Sequence, residues 1–368
     1  MLTRTIAAVS LIAAACAANA QDKLLIGESA PLTGSNAQFG KDINSGANAY
    51  FAMVNARGGV QGKQIELLVL DDKNDRKLAG ANAKALLDKN VLALFGFASA
   101  TLSLDAMPQA EARDVAFFAP FSGANPVRVN NPVLFTMRAS YGEEMEKILN
   151  FWMSLGLKQV TVVYYEDEVG KQNYEVVTNY LKKINLAPKP FPLKRNAQIG
   201  DAEVQALAAT QPDLVLTTVL SGAAAELQKG MVKMGRTVPT SSLSFIGADQ
   251  FITAAGPAAA GVSISQVVPS TTSNIPAVRE CAKAMEMAGA KAPMNSTQLE
   301  ACFAAKVLAE GLRRAKKPIT SKTLLEALTN LGTYDLGGYK VTFNSGGHHG
   351  SKFVDLAMVT REGKLMSN

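Results

Sequence analysis

The sequence predicts an α/β protein of two lobes, each an open, mostly parallel sheet flanked by helices. Three observations carry this. Apolar runs alternate with amphipathic helical patterns at roughly thirty-residue spacing, the mark of strand–helix–strand units. The rhythm runs once to about Arg138 and restarts to run again to about Gly261. The chain, at 368 residues, exceeds one typical domain.

The elements follow in order. Leu24 to Ile26 opens a strand, and residues 42–56 form a helix with Ile43, Ala47, Phe51 and Val54 on one face. "RGGVQGK" breaks it, Ile65 to Leu70 is the next strand, and a helix over about 75–89 leads to the strand "VLALFG". A further helix leads to "VAFFAP". In the second series, helix 142–155 precedes "VTVVYY" and helix 170–184 precedes a strand near Phe191. Helix 201–209 then leads to "LVLTT", and helix 222–234 to a strand at "SFIG". After "VSISQVVP" come helices near 276–288, 296–315 and 320–330, and the strands "YKVTF" and "FVDLAMV" close the chain.

The first twenty residues read as a secretory leader: Arg4, an apolar stretch from Ile6 to Ala18, and Ala18-Asn19-Ala20 as the cleavage site. A lipoprotein leader ending at Cys16 is the lesser alternative, because Ala13-Ala14-Ala15 lacks the usual upstream leucine. No later segment is apolar enough to cross a membrane. The net charge of +6 is scattered without a basic stripe, which argues against nucleic acid as a partner. Cys281 and Cys302 remain after cleavage; a disulfide and burial as small apolar residues are equal alternatives.

Enzymatic chemistry is poorly provided for. The two histidines, His348 and His349, are adjacent and suit a turn with a ring over a sheet edge better than a catalytic dyad or a metal site. No G-x-S-x-G elbow, HExxH or phosphate-cradling glycine spacing occurs. Asp71-Asp72 and Glu143-Glu144 read as solvated charges flanking helices. Open parallel sheets hold ligands at the carboxyl ends of their strands, which directs attention to loops 28–40, 96–103, 120–126, 165–170, 218–222 and 247–251. Phe39, in "GSNAQFG", is either a core anchor or, preferably, the wall of a cleft. Asp249, after "SFIG", either anchors a cation or caps a helix.

The leader, "IGESAPLTGSNAQFGKDINSGANAYF", "FFAPFSGANPVR", "YYEDEVGKQNYE", "SFIGADQF" and "HHGSKFVDLAMV" together resemble the Leu/Ile/Val-binding protein family, the type I periplasmic solute-binding proteins of ABC transporters. The resemblance implies two lobes joined by three crossovers, near residues 138, 267 and 339. Lobe 1 would take 21–138 plus 268–338, and lobe 2 would take 139–267 plus 339–368.

It further implies a periplasmic, monomeric receptor with a small-molecule ligand, ABC permease subunits as partners, no cofactor and no metal. Phe39 matches the aromatic wall. Ser99, Ala100 and Thr101 match the hydroxyl loop for a carboxylate, Ser122, Gly123 and Ala124 the segment touching both ends of an amino acid, and Asp249 the acid for its ammonium. Tyr165, Val169 and Leu220 occupy the remaining walls, where Val169, Leu220 and Ser221 replace aromatics. The expected ligand is a branched-chain or related amino acid, with an aromatic carboxylate, amide or urea-type ligand, or a sensing subunit, as alternatives.

Overall fold

A computed structural model of the chain describes residues 23–34, 36–195 and 197–367; the expected leader and Cys16 lie outside them. Chain order gives β1 (Leu24–Ala30), α1 (Ala37–Ala56), β2 (Ile65–Asp71), α2 (Arg76–Leu87), β3 (Ala93–Phe95), α3 (Ala100–Ser103), α4 (Met107–Glu111), β4 (Ala116–Phe118) and β5 (Leu134–Phe135). These strands form a parallel sheet in the order β2-β1-β3-β4-β5, with Gly27 opposite Leu94 and Phe95 opposite Phe118. Strands with helices on both sides must be apolar on both faces. Ala93, Leu94 and Phe95 are accordingly all buried, as are Ala116, Phe117 and Phe118.

The second sheet follows: α5 (Tyr141–Ser154), β6 (Val160–Tyr165), α6 (Glu168–Lys182), β7 (Lys189–Leu193), α7 (Asp201–Ala209), β8 (Leu214–Thr217), α8 (Ser221–Lys233), β9 (Thr240–Ser242), α9 (Ala248–Ala255) and β10 (Ser263–Gln266). Helices α10 (Pro276–Met287), α11 (Ser296–Arg314) and α12 (Ser321–Thr329) then return to the first lobe. The hairpin β11 (Gly332–Asp335) and β12 (Lys340–Phe343) precedes β13 (Asp355–Val359) and β14 (Leu365–Ser367). The second sheet runs β14-β13-β10-β9-β8-β6-β7, with β13 antiparallel to both its neighbours and the other pairs parallel. Buried on nearly every side, from Leu299 to Leu312, α11 runs through the first core and is tied to α10 by a Cys281–Cys302 disulfide with Cα atoms 5.9 Å apart. Of the two alternatives for these cysteines, the bonded one is realised.

Three expectations are corrected. Helix α1 begins at Ala37, not 42, so Phe39 stands in a helical first turn. Gly40 does not bound a loop: a Cβ there would lie 2.2 Å from the Pro31 carbonyl oxygen, so glycine lets the helix start against the exit of β1. The strand placed at "SFIG" lies earlier, at Thr240–Ser242, and Ser244–Ile246 is a single 3₁₀ turn. Its buried serines hid it, since Ser241 accepts from the Trp152 indole at 2.7 Å instead of packing as an apolar residue. The return to the second lobe comes later than 339, because Val341 and Phe343 are buried in the first core.

The acidic pairs also differ from expectation. Glu143 forms a capping box with Ser140, whereas Glu144 is fully buried and accepts from the Ser244 amide at 2.8 Å and the Ser265 hydroxyl at 2.5 Å. Asp72 is buried too and accepts from Ser29. The histidines sit where the turn reading put them. His348 stacks on Phe135 of the edge strand β5, centroids 4.1 Å apart, and its carbonyl accepts from Thr136.

Glu28 of β1 is the least compensated buried charge in this sheet. It is wholly enclosed; Asn44 donates to one carboxyl oxygen at 2.6 Å and the other has no partner. Burial pushes its carboxyl up to about 8, against 4.5 when unfolded. The folded state therefore holds a proton that the unfolded chain releases, and stability falls as pH rises from about 4.5 to about 8. Glu28→Gln keeps the shape and removes the titration. It is expected to stabilise the protein by at most about 5 kcal/mol at pH above 8 and to change little near pH 4, as urea unfolding at the two pH values measures.

Candidate functional site

Both sheets share the doubly wound order, with strand order reversing between β1 and β3 in one and between β6 and β8 in the other. At such a reversal the flanking loops diverge and leave a crevice at the carboxyl ends. The two crevices face each other and form one cavity of about 110 Å³. Its walls are the segments after successive strands. Asn36 and Phe39 follow β1, Asn74 follows β2, residues 98–102 follow β3 and Ser122 follows β4; Val169 and Asn173 follow β6, Arg195 follows β7, Leu220 follows β8 and Phe245 follows β9.

The residues expected to bind divide between this cavity and its surroundings. Ser99, Ala100 and Thr101 line it, and the Ser99 hydroxyl caps α3 by accepting from the Leu102 amide at 3.2 Å. Ser122 lines it, with its hydroxyl 3.2 Å from the Tyr141 phenol. Gly123 and Ala124 do not. Gly123 accepts from the Tyr141 amide at 2.8 Å, and a Cβ there would lie 2.7 Å from the Ala139 carbonyl oxygen. Ala124 is buried against the second lobe's α5 cluster. The "FSGANP" loop is therefore small chiefly so that the first crossover can pack on it.

On the opposite wall, the Tyr165 phenol accepts from the Leu220 amide at 3.2 Å, and the Arg195 guanidinium lies 4.3 Å over the Tyr165 ring. Arg195 also donates to Asp167 at 2.9 Å, and Asp167 caps α6 through the Gly170 amide. This ladder of carboxylate, guanidinium and ring fixes the phenol's orientation before any ligand arrives.

Asp249 lies elsewhere. It stands at the solvent-exposed edge of a second, much smaller cleft of about 20 Å³, with Asp42, Gln250, Gln266 and Asn295. Asp42 is buried, and burial raises its carboxyl, with Asp249 adding to the effect and Asn295 opposing it. The main cavity thus carries one charged side chain among its described lining residues, Arg195, and no carboxylate. Among the described residues, no group of three His, Cys, Asp or Glu is placed to hold a metal ion.

Asn74, Arg195, Tyr141 and Phe245 were not anticipated. The strand-end rule reaches the first two once the loops after β2 and β7 are included, and Phe245 once β9 is set at its true place. Tyr141 gives no such signal, because it starts the first helix beyond a crossover.

Phe39 serves two purposes. Its ring lines the cavity, yet it is 2 % exposed and meets Phe121 edge to face at 6.2 Å. Phe39→Ala is expected to lower stability by ~3–5 kcal/mol as well as weakening ligand binding. Denaturant unfolding and titration calorimetry on one preparation separate the two effects; unchanged stability would leave the ring a wall alone.

The geometry agrees with what the chain resembles. A family model described as "Periplasmic binding protein" matches residues 23–364. A substrate-binding periplasmic protein from Ralstonia solanacearum superimposes with a TM-score of 0.87 at 30% identity, over 94% of this chain and 100% of that one. A possible leucine/isoleucine/valine-binding protein from Rhodopirellula baltica SH 1 shares the fold at a TM-score of 0.89 and 24% identity, over 95% and 96% of the two chains. A Leu/Ile/Val-binding protein homolog 2 from Brucella abortus (strain 2308) is 26% identical over 243 residues, 65% of this chain and 65% of the relative, just under two thirds of its length. With the family model matched across nearly all the described residues, the chain belongs to the periplasmic binding proteins, as a type I member of the Leu/Ile/Val-binding group.

Proposed function

We propose that the protein is an exported solute receptor, not an enzyme, that closes its lobes on a small apolar carboxylate and presents it to an ABC permease as a monomer. The leader-like first residues and the periplasmic character of the family support the compartment. One observation carries the ligand class: the interlobe cavity has hydroxyls, amides and Arg195 on its walls but no carboxylate among its described lining residues. Burying an ammonium without an anion costs several kcal/mol of lost hydration, whereas a carboxylate finds donors at Ser99, Thr101 and Ser122. Phe39, Val169, Leu220 and Phe245 then cover its apolar part. Transport fits this set better than catalysis, because the described lining residues pair no nucleophile with a base.

A second reading, an α-amino acid, draws on the name of the Brucella relative. It would place the ammonium against the neutral side chains of Asn36, Asn74 and Asn173. Isocaproate, which is leucine without its amino group, distinguishes the readings. Titration calorimetry is expected to show isocaproate bound at least tenfold more tightly than leucine, with Asp249→Asn altering neither by more than about twofold. Tighter leucine binding, weakened by Asp249→Asn, would restore the amino-acid reading.

A further inference from the structure

We propose that the binding site has two chambers, and that its ligand is a carboxylate with a chain long enough to occupy both. This rests on the carboxylate reading above. Beside the interlobe cavity lies a second one of about 170 Å³, larger than the first at about 110 Å³. The two share Asn36, Tyr165 and Leu220, which therefore stand at the boundary between them. The Tyr165 phenol accepts from the Leu220 amide and Arg195 covers the ring, so the boundary is one hydrogen-bonded contact that a chain spanning both cavities would have to part.

Beyond that boundary the lining changes character. Leu193, Ile199 and Ala223 offer apolar surface continuous with the second lobe's core, and Lys194 is exposed beside them. The first turn of α8 is built from Ser221, Gly222 and Ala223, and a Cβ on Gly222 would meet nothing within 4 Å. Space next to a binding cavity, walled by aliphatic side chains and kept clear by small residues, suits a hydrocarbon chain. The carboxylate would remain with the hydroxyls of Ser99, Thr101 and Ser122, and the chain would pass Tyr165 and Leu220 into the second chamber. Each methylene removed from water there adds to affinity, which a branched-chain amino acid is too short to exploit.

Butanoate, hexanoate and octanoate test this by titration calorimetry against the full mature protein. Affinity is expected to rise at least tenfold from butanoate to octanoate. Gly222→Phe and Ala223→Leu, each filling the second chamber, are expected to abolish that gain while shifting butanoate by less than twofold. Gly222 is exposed and unobstructed, so its variant should melt like the parent, which a thermal scan checks. Equal affinity for all three acids, or a chain-length gain that survives both substitutions, would overturn the two-chamber site and leave the carboxylate reading intact. If neither isocaproate nor any of the three acids binds, both fall together.

Discussion

The two-lobed arrangement depends on a buried ion pair at the first crossover. Arg138, 2 % exposed, stands where the chain leaves the first sheet, and Glu300 of α11 grips its guanidinium with bonds of 2.7 and 2.5 Å. Two fork-matched bonds fix a guanidinium in direction as well as position. Glu144, three residues into the next helix, adds attraction from the other lobe while holding Ser244 and Ser265. Its own carboxyl is raised by burial, against the pull of Arg138. Such a seam adds little net stability, since desolvation offsets most of the Coulomb gain, but removing one partner strands the other at a cost of ~3–5 kcal/mol. The seam therefore dictates geometry more than it supplies free energy.

Geometry is what the site requires. Tyr339 donates to the Val267 carbonyl at 3.0 Å, so the second crossover is fastened to the hairpin that precedes the third. Gly123 and Ala124 pack on the first. With the passages pinned, the carboxyl ends of both sheets are left opposite each other, and side chains at strand ends converge without any local motif. This is why the cavity draws its residues from eight strand exits and resembles no contiguous signature.

That dispersal explains what could be read from the sequence. Alternating apolar and amphipathic runs marked most elements, because parallel strands are buried on both faces and their helices on one. The signal failed where polarity served the interior. Ser241 and Ser242 in β9 and Glu144 in α5 are buried and hydrogen-bonded, so they looked like surface. It failed again at Gly40, where glycine marks a close approach and not a loop, and the displaced start of α1 moved Phe39 from a loop to a helix. Site residues flanking correctly placed strands, such as Ser99, Ser122 and Tyr165, were legible; Phe245 was not, because β9 had been set too late. Asp249 stands out by its place beyond a strand and gains an ammonium role only from the family likeness, and neither carries information about which of two neighbouring clefts a helix turn faces.

The ladder of Asp167, Arg195 and Tyr165 bears on how such a cleft can both hold and release. An unpaired arginine in the wall would bind an anion strongly but would first have to be stripped of water at each closure. Here Asp167 already neutralises Arg195 and is itself anchored as the cap of α6. The guanidinium is thus oriented without being a strong free charge, and the proposed ligand would gain from shape and from neutral donors more than from ion pairing. Closure is driven only by contacts that differ between open and closed lobes. In the proposed receptor, hydroxyls, rings and aliphatic walls from both lobes would contact the ligand together on closure. On that reading selectivity resides in the shape of the walls, and Tyr165 and Leu220, which line both cavities, would set it at their boundary.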